Sequence, residues 1–436
     1  MEMISSMNGM KISKRVYAHY AATSFFSIFV GLMVVLNTYT VPGLSFFSLD
    51  ELLFVVAFPF LAVACHRKNL ISRKDLFLVL FIIYTLLLSL FSVVFIENNA
   101  LNVIVRVARE AFYYAIIFWL GNNLFSIGIF KNIFSKIVLL LAAFVLIQAV
   151  VYYITGFFIP GLLLNARIND NGVTGGEMYY SLLSYASYSG YIKPNGFLTE
   201  PSTCAHWFFV YLLIVLFDTK ERHNFWKAVF VSVAMIATMS TSAFLELFLA
   251  WLLWLFWFKK KTFIIVMVVA LVTFPTIFLT LRNSDSIFGS VINRFFDAFS
   301  KEKSEFSSGL RIVRGFKIYG SLPISYKIFG IGFGSYEAAV KSGIVNPLLF
   351  SDMENEYMNS FSYLLVSSGI IGLSLFVFYF MSLFKTRDRI GKALIISLTF
   401  LFFGTSVYCS SLFVIMMLLI LSFKKNNYGR SFNTQF

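Results

Sequence analysis

Apolar positions in this chain fall in blocks about twenty residues long, separated by short polar or charged stretches, and not at every second position along ten-residue segments. An α-helix needs about 20 apolar residues to cross ~30 Å of hydrocarbon, whereas a membrane β-barrel would alternate apolar and polar residues. Twelve such blocks can be placed, at about 18–37, 50–65, 75–96, 100–120, 133–155, 204–217, 225–240, 243–258, 262–281, 358–384, 392–409 and 411–423. The pattern predicts an all-α polytopic membrane protein with about 12 transmembrane helices. Two polar segments are too long to be simple turns, 156–203 and 282–357. Reversing direction between helices takes only a few residues, so these loops are expected to form structure of their own, with short helices over Arg294 to Phe299 and Leu310 to Tyr319. They are expected to pack on each other and on the helix ends.

Composition agrees. Of 436 residues 59% are hydrophobic and only 13% charged, with a mean hydropathy of +0.81; soluble chains carry about 45–50% apolar and about 25% charged residues. This excludes soluble, secreted and nucleic-acid-binding classes. The net charge of +14 reflects orientation. With the N-terminus inside, Lys11, Lys14 and Arg15, then Arg67 to Lys74, Lys131 and Lys136, Lys220 to Lys227, Lys259 to Lys261, Lys385 to Lys392, and Lys424 to Arg430 all fall on the cytoplasmic side. The short loops at 38–49, 97–99 and 241–242 hold no Lys or Arg, so both termini are expected in the cytoplasm and the two long loops outside. The first block lacks a small-residue cleavage site, so no cleaved signal peptide is expected. Cys65, Cys204 and Cys409 are odd in number and widely spaced, which suggests neither disulfides nor a metal site.

Candidate chemistry lies in or near the long loops. Arg311, Arg314 and Lys317 recur at helical spacing, which suits either a grip on phosphate oxygens or a solvated amphipathic face. The Gly330, Gly332, Gly334 run offers backbone amides at close approach. The first loop ends in Lys193-Pro-Asn-Gly-Phe-Leu-Thr-Glu200-Pro-Ser202, which sets a cation and a carboxylate at the rim of the sixth block. Glu200 there is either a proton acceptor or a helix N-terminal charge with Ser202 as cap. The fourth block holds Arg106, Arg109 and Glu110. Charge inside a bilayer costs about 2.5–3.5 kcal/mol on insertion scales and marks function by default. Arg106 and Glu110 can pair at i, i+4, leaving Arg109 without an in-helix partner. Of four histidines only His206 is near the outer surface.

Together, the twelve blocks, the two long loops, the stretch Lys193 to Ser202, the stretch Ser308-Gly309-Leu310-Arg311 through Gly330-Ile-Gly-Phe-Gly334, and Asn355-Glu356-Tyr357 leading into Gly369-Ile-Ile-Gly372-Leu373 resemble the O-antigen polymerase and ligase superfamily. Wzy-type polymerases describe the later periplasmic loop by Arg, fifteen residues, then Gly, and Arg314 with Gly330 matches. The earlier loop's Arg, ten residues, Gly pattern is absent after Arg167, where position 178 is Met, and Lys193 stands where many relatives carry Arg. The ligase branch has a His before an Asn in the second loop; here Glu354 precedes Asn355, which favours the polymerase. The resemblance implies a metal-independent, GT-C-like membrane glycosyltransferase of the bacterial inner membrane, without cofactors, with its active site in the periplasm. Its substrates would be undecaprenyl-diphosphate-linked oligosaccharides, in contact with membrane lipid, and a chain-length regulator protein is an implied partner. In that reaction Arg311, Arg314, Lys193, Arg106 and Arg109 would hold the diphosphate, and Glu200, Glu354 or His206 would take the acceptor's proton. An O-antigen ligase, a capsule or exopolysaccharide polymerase, and a lipid-linked oligosaccharide flippase are the alternatives.

Overall fold

A computed structural model describes residues 14–41, 44–65, 75–96, 100–168, 173–189, 191–218, 223–267, 269, 308–346, 349 and 358–424. The helices in chain order are α1 (Lys14–Leu36), α2 (Leu49–Ala64), α3 (Leu76–Phe95), α4 (Ala100–Tyr114), α5 (Ile127–Thr155), α6 (Gly175–Ser189), α7 (Pro201–Phe217), α8 (Asn224–Ala237), α9 (Thr241–Phe258), α10 (Ser308–Ser321), α11 (Ile324–Phe329), α12 (Tyr336–Lys341), α13 (Ser360–Thr386), α14 (Arg389–Gly404) and α15 (Ser411–Ser422). Past Tyr114, α4 continues through a π-helical stretch, Ala115–Leu120, into Gly121–Leu124. Eleven of the twelve apolar blocks coincide with a helix; the ninth, 262–281, lies mostly outside the described residues. Among the described residues, five helices are long and apolar enough to cross a membrane: Tyr17–Leu36 within α1, α3, α5, α9 and α13. The fold is thus that of an all-α, membrane-embedded chain, with one addition. The short loop after α1 forms an antiparallel hairpin of β1 (Thr40–Val41) and β2 (Leu44–Ser48), too brief to leave a period in the sequence.

Capping chemistry sets where several helices begin. Asn359 accepts from Ser362 N at 2.8 Å to start α13, Asp388 from Gly391 N at 2.8 Å to start α14, and Ser410 from Phe413 N at 3.3 Å to start α15. Pro201 opens α7 in the first turn, where its missing N–H costs nothing, and Gly156 ends α5 in the left-handed region. Lipid tails are as apolar as leucine, so tight packing has to supply what hydrophobicity does not. Gly31 lies against Ile133 and Gly121 against Leu418, where a Cβ at Gly121 would come within 2.2 Å of the leucine. Among the described helices, α7 is buried from Cys204 to Phe217 and α15 from Ser411 to Leu421, each enclosed by its neighbours.

The bundle has two distinct ends. At the far end His19 meets the carbonyl of Ala64, Lys131 pairs with Asp218 at 2.9 Å, and the backbones at Arg387 and Lys424 pair in an isolated antiparallel bridge. At the loop end Asp50 meets Ser411, Ser92 meets Ser335, and Ser360 meets Thr405. Each long loop condenses on a core of its own. The first gathers Phe158, Ala186 and Ile192 with Tyr152 and Tyr179; the second gathers Ile318, Leu322, Ile331, Tyr336 and Ala339 with Ile96 and Val366 of the bundle. In the first, Thr174 N and Oγ1 both donate to Glu177, at 2.6 and 3.0 Å, and Thr174 Oγ1 accepts from Glu177 N. This reciprocal cap starts α6 and holds the Glu177 carboxyl below the usual carboxylate range. The expected helix over Arg294 to Phe299 lies outside the described residues, whereas that over Leu310 to Tyr319 is present as α10.

Candidate functional site

At the loop end, the first turn of α13 is where separate parts of the chain meet. Gly315 of α10 sits so close that a Cβ there would reach within 2.1 Å of Ser362 Oγ, and Phe316 lies 6.1 Å from Phe361. The residue before Gly315, Arg314, is fully buried, at 0% exposure. From α4 the Arg106 guanidinium lies over the Tyr363 ring, 5.8 Å from its centroid. Tyr363 also packs on Phe333, at 5.5 Å, and on Tyr408, at 6.2 Å. The turn between α14 and α15 is tied down by Ser360, whose Oγ donates to Thr405 O and accepts from the amides of Val407 and Tyr408. Tyr408 then donates to Glu110, which lies within electrostatic reach of Arg106. The next residue, Cys409, has φ +52, a left-handed conformation rare for a side chain of this kind. One cation, Arg106, and one carboxylate, Glu110, thus converge on an aromatic-lined joint, beside which α10 carries the buried Arg314. Arg311 also lies on α10, but its side chain is outside the described residues, and Glu354 is outside them altogether.

The glycine run has a different task from the one its sequence suggests. Inside α13 the backbone breaks at Gly369 (φ 63, ψ −171), freeing carbonyls of the preceding turn. Those carbonyls accept from Ile331 N and Gly332 N, via Val366 O at 3.1 Å and Ser367 O at 2.9 Å. Gly330 N goes to Tyr326 O, and Phe333 N goes to Ser89 Oγ at 3.0 Å. Four successive amides, 330–333, are therefore bonded to protein and do not cradle a phosphate. Gly330, Gly332 and Gly334 all have positive φ, and Gly330 passes so close to α13 that a Cβ would lie 2.4 Å from Ser367 O. The segment is a splint for a broken helix.

Arg109 also differs from expectation, because its partner comes from another helix. Its Nη2 lies 3.0 Å from Glu51 Oε2, and Glu51 further accepts from Tyr113 Oη at 2.6 Å and Ser48 N at 3.1 Å. Beside it Asp50 accepts from Ser48 Oγ at 2.5 Å and from Ser411 Oγ. Arg109 is thus neutralised by structure, which leaves Arg106 as the cation of α4 nearest the joint. Arg109→Ala is expected to cost about 2–3 kcal/mol, less than for a fully enclosed pair because the Arg109 side chain is 27% exposed. Adding Glu51→Gln should recover most of that loss, since no charge is then stranded. Thermal unfolding of the three purified variants checks it, and a double variant as unstable as the sum of the singles refutes it.

The first-loop candidates sit elsewhere. The Lys193 ammonium lies over the Tyr185 ring, 4.5 Å from its centroid. Glu200 takes the N-cap position of α7 that its sequence had suggested for Ser202, and its carboxylate accepts from Ser202 Oγ at 2.7 Å. The intervening turn is clipped into the bundle by Gln148, which donates to Gly196 O and accepts from Gly196 N at 2.8 Å, while Cys204 Sγ donates to Asn195 O. His206 Nδ1 lies 2.7 Å from Glu246 Oε1, with the two side chains 10% and 1% exposed. Glu246 is a carboxylate within an apolar block, a signal of function that could have singled it out from sequence. Comparison with protein-family models gives no match for this chain, and comparison with curated proteins gives none.

Proposed function

We propose that this protein is a Wzy-type O-antigen polymerase with about twelve membrane spans, both termini in the cytoplasm and the loop end in the periplasm. The observation that supports the reading best is the first turn of α13, on which α10 packs through Gly315 and Phe316, next to the buried Arg314, and over which Arg106 of α4 lies at Tyr363. A hydroxyl at the non-reducing end of one lipid-linked repeat attacks the anomeric carbon of the growing chain, and the bond from that carbon to undecaprenyl diphosphate breaks. The diphosphate leaves with the electron pair, so the protein has to stabilise growing negative charge and needs no general acid. Arginine suits that task because its fork grips phosphate oxygens in pairs. The hydroxyl proton goes to a carboxylate or imidazole; beside Glu200, Glu354 and His206, Glu110 becomes a candidate because it shares the joint with Arg106.

The lipopolysaccharide banding pattern of a strain lacking the protein tests this reading. Loss of a polymerase leaves lipid A core bearing a single repeat. Loss of a ligase would leave bare core with polymer stranded on undecaprenyl diphosphate, and loss of a flippase would leave lipid-linked units on the cytoplasmic face. Either of the last two patterns overturns the proposal.

A further inference from the structure

Part of the second loop is bonded to the bundle well below its rim. Its contacts climb α3 in order: Tyr84 Oη donates to Phe329 O at 2.6 Å, Phe333 N donates to Ser89 Oγ at 3.0 Å, and the hydroxyls of Ser335 and Ser92 lie 2.6 Å apart. At 1.5 Å per residue the 20 residues of α3, none of them charged, span ~30 Å, the thickness of the hydrocarbon. Ser92, Ser89 and Tyr84 then lie ~5, ~9 and ~17 Å below the loop end of α3, so the turn at Phe329 approaches mid-bilayer. The second helix agrees. Val366 O and Ser367 O, which accept from Ile331 N and Gly332 N, stand six and seven residues into α13, ~9–10 Å below its start. Irregular backbone is tolerated at such depth only where protein encloses and bonds it. That condition is met: the amides of 330–333 all bond to protein, and Gly330, Ile331, Gly332, Phe333 and Ser335 are buried.

The short helix α11, which leads to this turn, has the opposite surface. Its Ile324, Ile328 and Phe329 are 73%, 38% and 51% exposed. Level with the outer half of α3, the surroundings of an exposed side chain are hydrocarbon. Within 324–335 the sequence holds a single charge, Lys327, which is half-buried and long enough to lift its ammonium toward the surface while its stem stays in the apolar layer. We infer that residues 324–335 form a re-entrant hairpin, with α11 descending and the glycine segment climbing back, inserted into the leaflet at the loop end with Ile324, Ile328 and Phe329 against acyl chains. The inference holds whichever compartment the loop end faces, and it does not rest on the polymerase reading. It also explains where the glycines fall. The climbing strand threads between two helices, and a Cβ would lie 2.4 Å from Ser367 O of α13 at Gly330 and 2.8 Å from Ser92 Oγ of α3 at Gly332. Through this hairpin α10, which ends at Ser321, is moored at the membrane surface.

The test uses the wild-type protein in phosphatidylethanolamine vesicles that contain a phosphatidylcholine with a diazirine near the end of one acyl chain. After irradiation and digestion, label is expected on the peptide covering 324–329 and not on the peptide covering 336–345, just beyond the strand. A second measurement reads the same point without lipid chemistry. In vesicles opened so that reagent reaches both faces, Ile328→Cys is expected to lose all reaction with a charged maleimide above the wild-type background. Glu337→Cys, at a site whose side chain is 58% exposed, is expected to react. Both positions are open in the fold, so burial in protein does not account for a difference between them. Equal lipid label on the two peptides, or equal maleimide reaction at the two cysteines, overturns the inference by placing α11 in water. Absence of lipid label from 324–329 together with an unreactive Ile328→Cys, or cross-linking of 324–329 to a second copy of the chain, overturns it by showing that protein covers α11.

Discussion

Arg314→Ala is expected to abolish polymer while the protein remains in the membrane at its normal level. Stabilising charge on a leaving group through a preorganised donor is worth about 10²–10³ in rate, and the Arg314 side chain, at 0% exposure, is held where water cannot replace it. Lysine keeps the charge but loses the fork, so Arg314→Lys should remain at least about tenfold below wild type. Arg311→Ala is expected to behave as Arg314→Ala does, since both lie on α10 within one turn. Lipopolysaccharide ladders read the outcome, and immunoblots of the membrane fraction separate lost activity from lost protein. Normal ladders in both alanine variants would remove the diphosphate clamp from the mechanism.

A comparable effect, on stability instead of rate, is expected for Gly369→Ala. With φ 63 and ψ −171 the residue occupies a region essentially reserved for glycine, and a Cβ would lie 2.3 Å from Ile328 O and 2.6 Å from Gly330 N. Both obstacles are backbone, so neither can rotate away. A loss of at least ~3 kcal/mol is expected, a large fraction of the stability of most folds. Gly343→Ala is the control: φ is +74 but nothing lies within 4 Å of the Cβ position, so only the backbone cost of about 1–2 kcal/mol applies. Thermal unfolding of both proteins decides; equal losses would mean that the contact between the 330–332 segment and α13 contributes nothing.

The helices follow from the spacing of apolar blocks because helix formation in an apolar solvent is a local necessity: each backbone group must bond within its own segment. Partners across the bundle follow no such local rule. Arg109 and Glu51 are 58 residues apart, and Ser411 and Asp50 are 361 apart, so nothing in either neighbourhood names the other. Gly330 and Gly369 each announce unusual backbone, yet only the fold shows that one break repairs the other. At the candidate site, Arg106 and Glu110 are marked by charge within an apolar block and Arg314 by its spacing to Arg311, Lys317 and Gly330, whereas Tyr363 and Tyr408 are two among 22 tyrosines and are distinguished only by where they stand.

The enclosure of α15 bears on the order of biogenesis. It follows every other described helix in the chain, and yet it is buried from Ser411 to Leu421 between α1, α7, α14 and the π-helical stretch after α4. The helices made before it must therefore keep a slot open until α15 itself has been made, and contacts as distant as Asp50 to Ser411 form only then. Such late, long-range closure is slow because so much chain must be brought into register before any contact rewards it. Up to that moment the faces of α1, α7, α14 and the π-helical stretch that α15 covers are left without their partner.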